Sequence, residues 1–212
     1  MRTFDFYEFT GVLCPGVVVL FTATLIVPEI GPIVRDQSMT VGSFGLFVIL
    51  SYVAGHLVQA FGNLLEDGFW RILGGRPTHW IRRGKNTLLT DAQIRAIDER
   101  LRGESGKPLS ELTESEWNAV TRSVYARIST AGRSSRIDTF NGNYGLFRGL
   151  AASFLLSAFM VLITPAHKWT TIVFLLTCTL LAIMRMKRFG VQYARELFVQ
   201  FLGISSAGGG KA

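Results

Sequence analysis

The sequence predicts an all-α integral membrane protein built from four transmembrane helices, a cytoplasmic helical insert and a C-terminal amphipathic helix. Three observations predict it. Four apolar runs are almost free of charge and approach the length that crosses a bilayer core, about 20 residues of helix. The fourth is short and would be completed by Trp169 and by Arg185 reaching outward. The charge deficit is local: only 17% of residues are charged, against about a quarter in soluble domains, while the middle of the chain has ordinary composition. Finally, the loops after the first and third runs carry only Arg35 and Lys168 of the 22 basic residues. By the positive-inside rule both termini and the central insert are then cytoplasmic.

The first span is expected over residues 9–27. Pro15-Gly16 inside it predicts a kink, because proline removes one helical hydrogen bond. A cleaved signal peptide is disfavoured, since Asp5 and Glu8 precede the run and no A-x-A-like site follows it. The second span is expected over residues 41–65, closing an N-terminal hairpin over residues 1–65. It is longer than a bilayer requires, so its last turns should project. Gly42, Gly45, Ser51 and Gly55 give it small surfaces for close helix approach.

Residues 66–143 form the expected cytoplasmic insert. Thr90-Asp91-Ala92-Gln93 and Thr113-Glu114-Ser115-Glu116 are capping boxes opening two helices. Ile94, Ile97 and Leu101 share one face of the first; Trp117, Val120, Val124 and Ile128 share one face of the second. Gly103 and Gly106-Lys107-Pro108 mark the turn between them. Two such helices make a marginal core alone, so the insert should lean on the membrane part or a neighbouring subunit. Residues 144–186 form a second hairpin, with spans at about 146–163 and 169–184. Phe189, Tyr193, Leu197 and Phe201 then recur every four residues, which predicts a surface-lying amphipathic helix over 187–204. Residues 205–212, with three successive glycines, read as a flexible tail.

Within this frame the second span stands out. Tyr52, His56, Gln59, Asn63 and Glu66 recur at steps of 4, 3, 4 and 3, a single polar stripe on an apolar helix. Hydrocarbon offers such groups no partners, so the stripe should face protein or water. It reads either as hydrogen-bonding glue between helices or as the lining of an aqueous path, where the imidazole could relay protons or sense pH. Glu66 and Asp67 at the end of this span, and Arg148 at the start of the third, are placed to pair, with Asn141 and Asn143 within reach of completing a network. A second cluster holds Trp70, Arg71, Arg76, Trp80, Arg82, Arg83 and Lys85 without an intervening acid, the composition of a segment lying among anionic lipid headgroups or docking a polyanionic partner.

Other classes are disfavoured. The net charge of +7 and pI near 9.8 could suit nucleic acid, but the basic residues fall where topology requires them. Cys14 and Cys178 lie in apolar runs with no CxxC, and the three histidines are scattered, so no metal or other cofactor is expected. No GxSxG, HExxH or phosphate-binding loop occurs, and no catalytic residue is assigned. His56 and Glu66, ten residues apart, stand about 15 Å apart along a helix and could not share one reacting atom. The expected function is therefore a non-enzymatic multi-pass subunit of a bacterial inner membrane. It would be a homo-oligomeric, channel-like effector or sensor coupling the insert to the polar stripe. The alternative is a membrane anchor or scaffold recruiting a cytoplasmic protein through the basic insert.

Overall fold

The computed structural model describes residues 6–27, 41–84, 88–165 and 168–204. The described residues are helical apart from short connections. In chain order the helices are α1 (Phe6–Ile26), α2 (Val41–Ile72), α3 (Pro77–Arg82), α4 (Asp91–Ser105), a single 3-10 turn (Leu109–Glu111), α5 (Glu114–Thr130), α6 (Ser135–Leu162) and α7 (Trp169–Ile204). Four of them, α1, α2, α6 and α7, are long and apolar enough to cross a membrane. The proposed tail, residues 205–212, lies outside the described residues, as does the loop over 28–40.

The chain divides into two compact units. Unit one comprises Met1–Phe69 with Gly142–Lys187. Its interior is made of small residues: Ser51, Ala151, Ala152, Ser153, Ser157 and Ala158 are all buried, which lets helix backbones approach closely. The closest approach is between α1 and α2. A Cβ added at Gly16 would fall on the Ser51 carbonyl oxygen and 2.7 Å from the Gly55 nitrogen. One added at Gly55 would fall on the Val12 carbonyl. Between α1 and α6, the Thr22 hydroxyl donates to Ser157 Oγ at 3.0 Å. Large apolar side chains point outward instead: Val41, Leu57, Leu64 and Ile163 are 66% exposed or more. That inversion, small residues inside and large apolar ones outside, is the packing expected where lipid is the solvent.

Unit two comprises Trp70–Asn141 with Arg188–Ala212. Its core joins Ile81, Leu88, Leu89, Ile97, Leu101, Leu109, Leu112, Trp117, Val124, Ile128 and Ile137 to Ala194, Leu197, Phe198 and Phe201 from the end of α7. This corrects two expectations. The C-terminal amphipathic segment is the continuation of one 36-residue helix, and its apolar face is buried in this core rather than lying on a membrane surface. The insert, marginal by itself, takes the core it lacks from that helix. Trp117 stacks on Phe198 with centroids 5.7 Å apart. Arg100 donates to the Leu202 carbonyl at 2.9 Å and Arg195 to that of Leu88 at 3.2 Å, so side chains from both segments also serve carbonyls of the other.

Local signals place the helices of unit two. Thr90 and Thr113 each form the reciprocal capping box with Gln93 and Glu116. Gly103, expected in the turn, continues α4, which instead ends at Gly106 in the left-handed conformation (φ 67°) that glycine adopts without strain. Lys107 bonds Glu116 at 2.8 Å, and that bond, followed by the Thr113 amide, holds the Glu116 carboxyl at about 2. Thr113→Ala should lower the stability of unit two by about 1 kcal/mol, because one orphan amide of the first turn loses its acceptor. A chemical denaturation curve checks it; a loss under a few tenths of a kcal/mol would mean water replaces the cap.

His79 should make the stability of unit two depend on pH. It is 6% exposed, and burial pushes its pKa below the ordinary 6.5, outweighing the upward pull of Glu114. A base with a depressed folded pKa contributes stability that is complete above about pH 6.5 and is lost as pH falls below it. The unfolding midpoint of unit two should drop as pH falls from about 7.5 to about 5.5, and more steeply than in His79→Asn. Parallel profiles in the two proteins would exclude His79 as the titrating group.

Candidate functional site

The most connected polar feature of unit one is a network joining three helices, and it begins with a proline. Pro15 lies within α1, which continues through it. Lacking an N–H, Pro15 leaves the carbonyl four residues earlier, that of Gly11, without its helical donor. Gln59 on α2 supplies one: its Nε2 donates to Gly11 O at 2.7 Å, and to Gly145 O of α6 at 3.3 Å. The same carboxamide is used at its other end. Its Oε1 accepts from Arg148 Nη2 at 2.9 Å and Nε at 3.3 Å. Arg148 Nη1 then reaches Glu66 Oε2 at 2.7 Å.

The network is well enclosed, with the Glu66 side chain 6% and the Arg148 side chain 23% exposed. Gly149 makes room for it: a Cβ there would sit 2.6 Å from Gln59 Nε2 and 2.7 Å from the Pro15 ring. Gly62, opposite the Arg148 stem, has its nearest neighbour at 3.4 Å by the same measure. The guanidinium is thus fixed by a carboxylate on one side and a carboxamide on the other. Both acceptors come from α2, seven residues apart and hence on one face.

The expected pairing of Glu66 with Arg148 is therefore present, whereas the single stripe is not preserved as one surface. Gln59 and Glu66 turn into the protein, while His56 and Asn63 are exposed and Tyr52 is 39% exposed. The helix itself explains the split. At about 100° per residue the five positions span an arc of roughly 80°. The buried face of α2 runs through Ser51, Gly55, Val58, Gly62 and Glu66, so it overlaps one edge of the arc only. Gln59 and Glu66 occupy that edge; His56 and Asn63 occupy the other. Tyr52, near the middle, stacks on Phe9 at 5.9 Å and meets the His56 ring edge-on at 4.8 Å. Asp67 is exposed one turn beyond Asn63, and Asn141 is exposed in unit two, outside the network.

The basic, aromatic segment is also rearranged. Trp70, expected to face lipid, is 2% exposed and packs edge-on against Trp80 at 6.0 Å. The reason is the turn at Gly74 and Gly75, whose φ values of 81° and 104° fold α3 back. That presents two carbonyls to the segment's own donors: Trp80 Nε1 bonds Gly75 O at 2.8 Å and Arg83 Nη1 bonds Gly74 O at 2.8 Å. Arg82 reaches the Leu112 carbonyl. Arg71 and Arg76 remain exposed, and Lys85 lies outside the described residues.

Sequence reasoning missed the parts played by Gly11 and Pro15. The proline was visible, but the vacancy it creates at residue 11 gains meaning only when a donor on another helix stands opposite. Among the described residues no group of three or more His, Cys, Asp or Glu could hold a metal ion. Comparison with protein-family models, with curated proteins and with solved structures gives no match.

Proposed function

We propose that the chain is a non-enzymatic, multi-pass membrane protein that holds a basic folded module at the membrane and recruits a protein partner with an acidic surface. The distribution of charge carries this reading. Unit two contains sixteen basic against nine acidic side chains, whereas unit one contains six of each, so the whole excess of +7 belongs to the module. An open groove on that module is lined by Arg133, Arg136, Thr139, Phe140 and Gln200. The Arg136 side chain is 68% exposed even though Glu196 lies 3.5 Å away. By the positive-inside rule such a module belongs on the cytoplasmic face of a bacterial inner membrane, with the four apolar helices crossing it.

The polar network supports anchoring over conduction. Gln59, Glu66 and Arg148 bond among themselves and to backbone carbonyls, so they have little left to offer a passing ion. One observation favours the channel-like or sensor reading instead: Tyr52, His56 and Asn63 are exposed on a single chain and could line a path about an oligomer axis.

The two readings separate in one set of preparations. Crosslinking in native membranes followed by affinity capture should recover a soluble acidic partner with the unmodified protein. Arg133→Glu/Arg136→Glu should reduce that recovery at least about tenfold, an effect equivalent to about 1.4 kcal/mol. His56→Leu/Asn63→Leu should leave recovery unchanged. Ion flux through reconstituted vesicles that disappears in the His56/Asn63 variant, with recovery indifferent to charge reversal, would replace anchoring by conduction.

A further inference from the structure

The side chains of His56 and Asn63 make no hydrogen bond among the described residues, although both sit on an apolar helix. Their depth follows from their neighbours. Tyr52 stacks on Phe9, and Gly55 packs on Val12, so His56 lies level with the first turns of the apolar stretch Phe9–Ile26. Asn63, about two turns further along α2, lies toward the edge of the apolar region beside Gly62 and Arg148. The adjoining outward residues, Val53, Leu57 and Leu64, are 54%, 72% and 70% exposed and suit acyl chains. The His56 imidazole does not, since hydrocarbon can neither donate to nor accept from it, and the Asn63 carboxamide continues the same exposed polar strip.

We infer that a second copy of this chain covers the strip Tyr52–His56–Asn63, with a two-fold axis along the membrane normal. The inference rests on the reading that α2 crosses a membrane. Copies inserted in one orientation place their α2 helices parallel, and a two-fold axis along the normal sets each residue opposite its own counterpart at equal depth. Only a side chain that is both donor and acceptor can hydrogen-bond to a copy of itself. Phenol, neutral imidazole and carboxamide all qualify, and these are the three groups on the strip. Arg148 and Glu66, which would repel their own copies, are turned inward and neutralise each other.

The spacing fits as well. His56 and Asn63 are one heptad apart, the repeat that keeps a seam between two parallel helices, and the exposed Ala60 between them allows close approach. Asp67 sets the limit. Two carboxylates meeting on the axis would repel, so the paired stretch ends before it.

Disulfide trapping tests the inference in native membranes. In a Cys14→Ala/Cys178→Ala background, Tyr52→Cys, His56→Cys and Asn63→Cys should each give an oxidised dimer. Val173→Cys and Leu180→Cys, on outward positions of α7, should not. In nanodiscs, His56→Leu/Asn63→Leu with unchanged helix content should dimerise about tenfold more weakly, as loss of two interhelical polar contacts implies. Absence of dimer at all three positions in a protein that resists alkaline extraction would overturn the pairing. So would stronger trapping on α7, an undiminished dimer in the double leucine variant, or trapping of a different polypeptide. Release of the protein by alkaline extraction would instead overturn the membrane-spanning reading beneath it.

Discussion

Gly55→Leu should destabilise unit one by about 3 kcal/mol or more, at the upper end for overpacking. The obstacle is backbone rather than a yielding side chain: a Cβ at this position already overlaps the Val12 carbonyl, and Gly16 meets α2 in the same way from the other side. A leucine could be accommodated only by driving α1 and α2 apart, which would also separate Gln59 from the Gly11 carbonyl. Helix propensity works in the opposite direction, favouring the substitution by about 1 kcal/mol, so a net loss isolates the packing term. Gly45→Leu is the control, since nothing lies within 4 Å of a Cβ at that site. Thermal unfolding in nanodiscs should show a large drop for the first variant and no drop for the second. Equal midpoints would mean that the two helices do not cross at these glycines.

Arg148→Met should cost about 3 kcal/mol, toward the lower end for breaking a buried pair because the guanidinium keeps partial access to solvent. What destabilises the variant is the Glu66 carboxylate left in an enclosed site with its main counter-charge gone. Glu66→Leu should do comparable damage by stranding Arg148. The double variant should recover most of the loss, since two apolar side chains of similar volume need no solvation. Denaturation of the four proteins in the cycle gives the coupling directly. Additive losses would show that the pair contributes nothing beyond its separate parts. Recovery without Gln59→Leu would be incomplete, because the Gln59 Oε1 would lose both of its Arg148 donors.

The sequence made the local decisions legible. Both capping boxes form where Thr90 and Thr113 stand, and the faces of Ile97 and Leu101 and of Trp117, Val124 and Ile128 are buried as their spacing implies. Each signal is complete within one or two turns of helix. The Glu66–Arg148 pair was legible for another reason: opposite charges on two apolar helices have few places to go. What could not be read was which edge of the stripe would be covered. Periodicity defines an arc, but the neighbouring helix chooses its side, and here the glycines at 16 and 55 choose it. Trp70 was misplaced because its burial depends on the Gly74–Gly75 reversal, a tertiary consequence of two φ angles. The end of α7 was misjudged because an amphipathic face looks the same whether a lipid surface or a protein core receives it.

That last contact has a temporal consequence. The core of unit two is written in two instalments, the insert first and then Ala194, Leu197, Phe198 and Phe201, with most of α6 and the apolar first part of α7 translated between them. At about 5–20 residues per second, a ribosome takes several seconds to deliver the second instalment. Throughout that interval Trp117 has no Phe198 to stack on, and the nascent insert presents an unfinished apolar surface. A chain that stops after Lys187 lacks Ala194, Leu197, Phe198 and Phe201 and so leaves the core of unit two open.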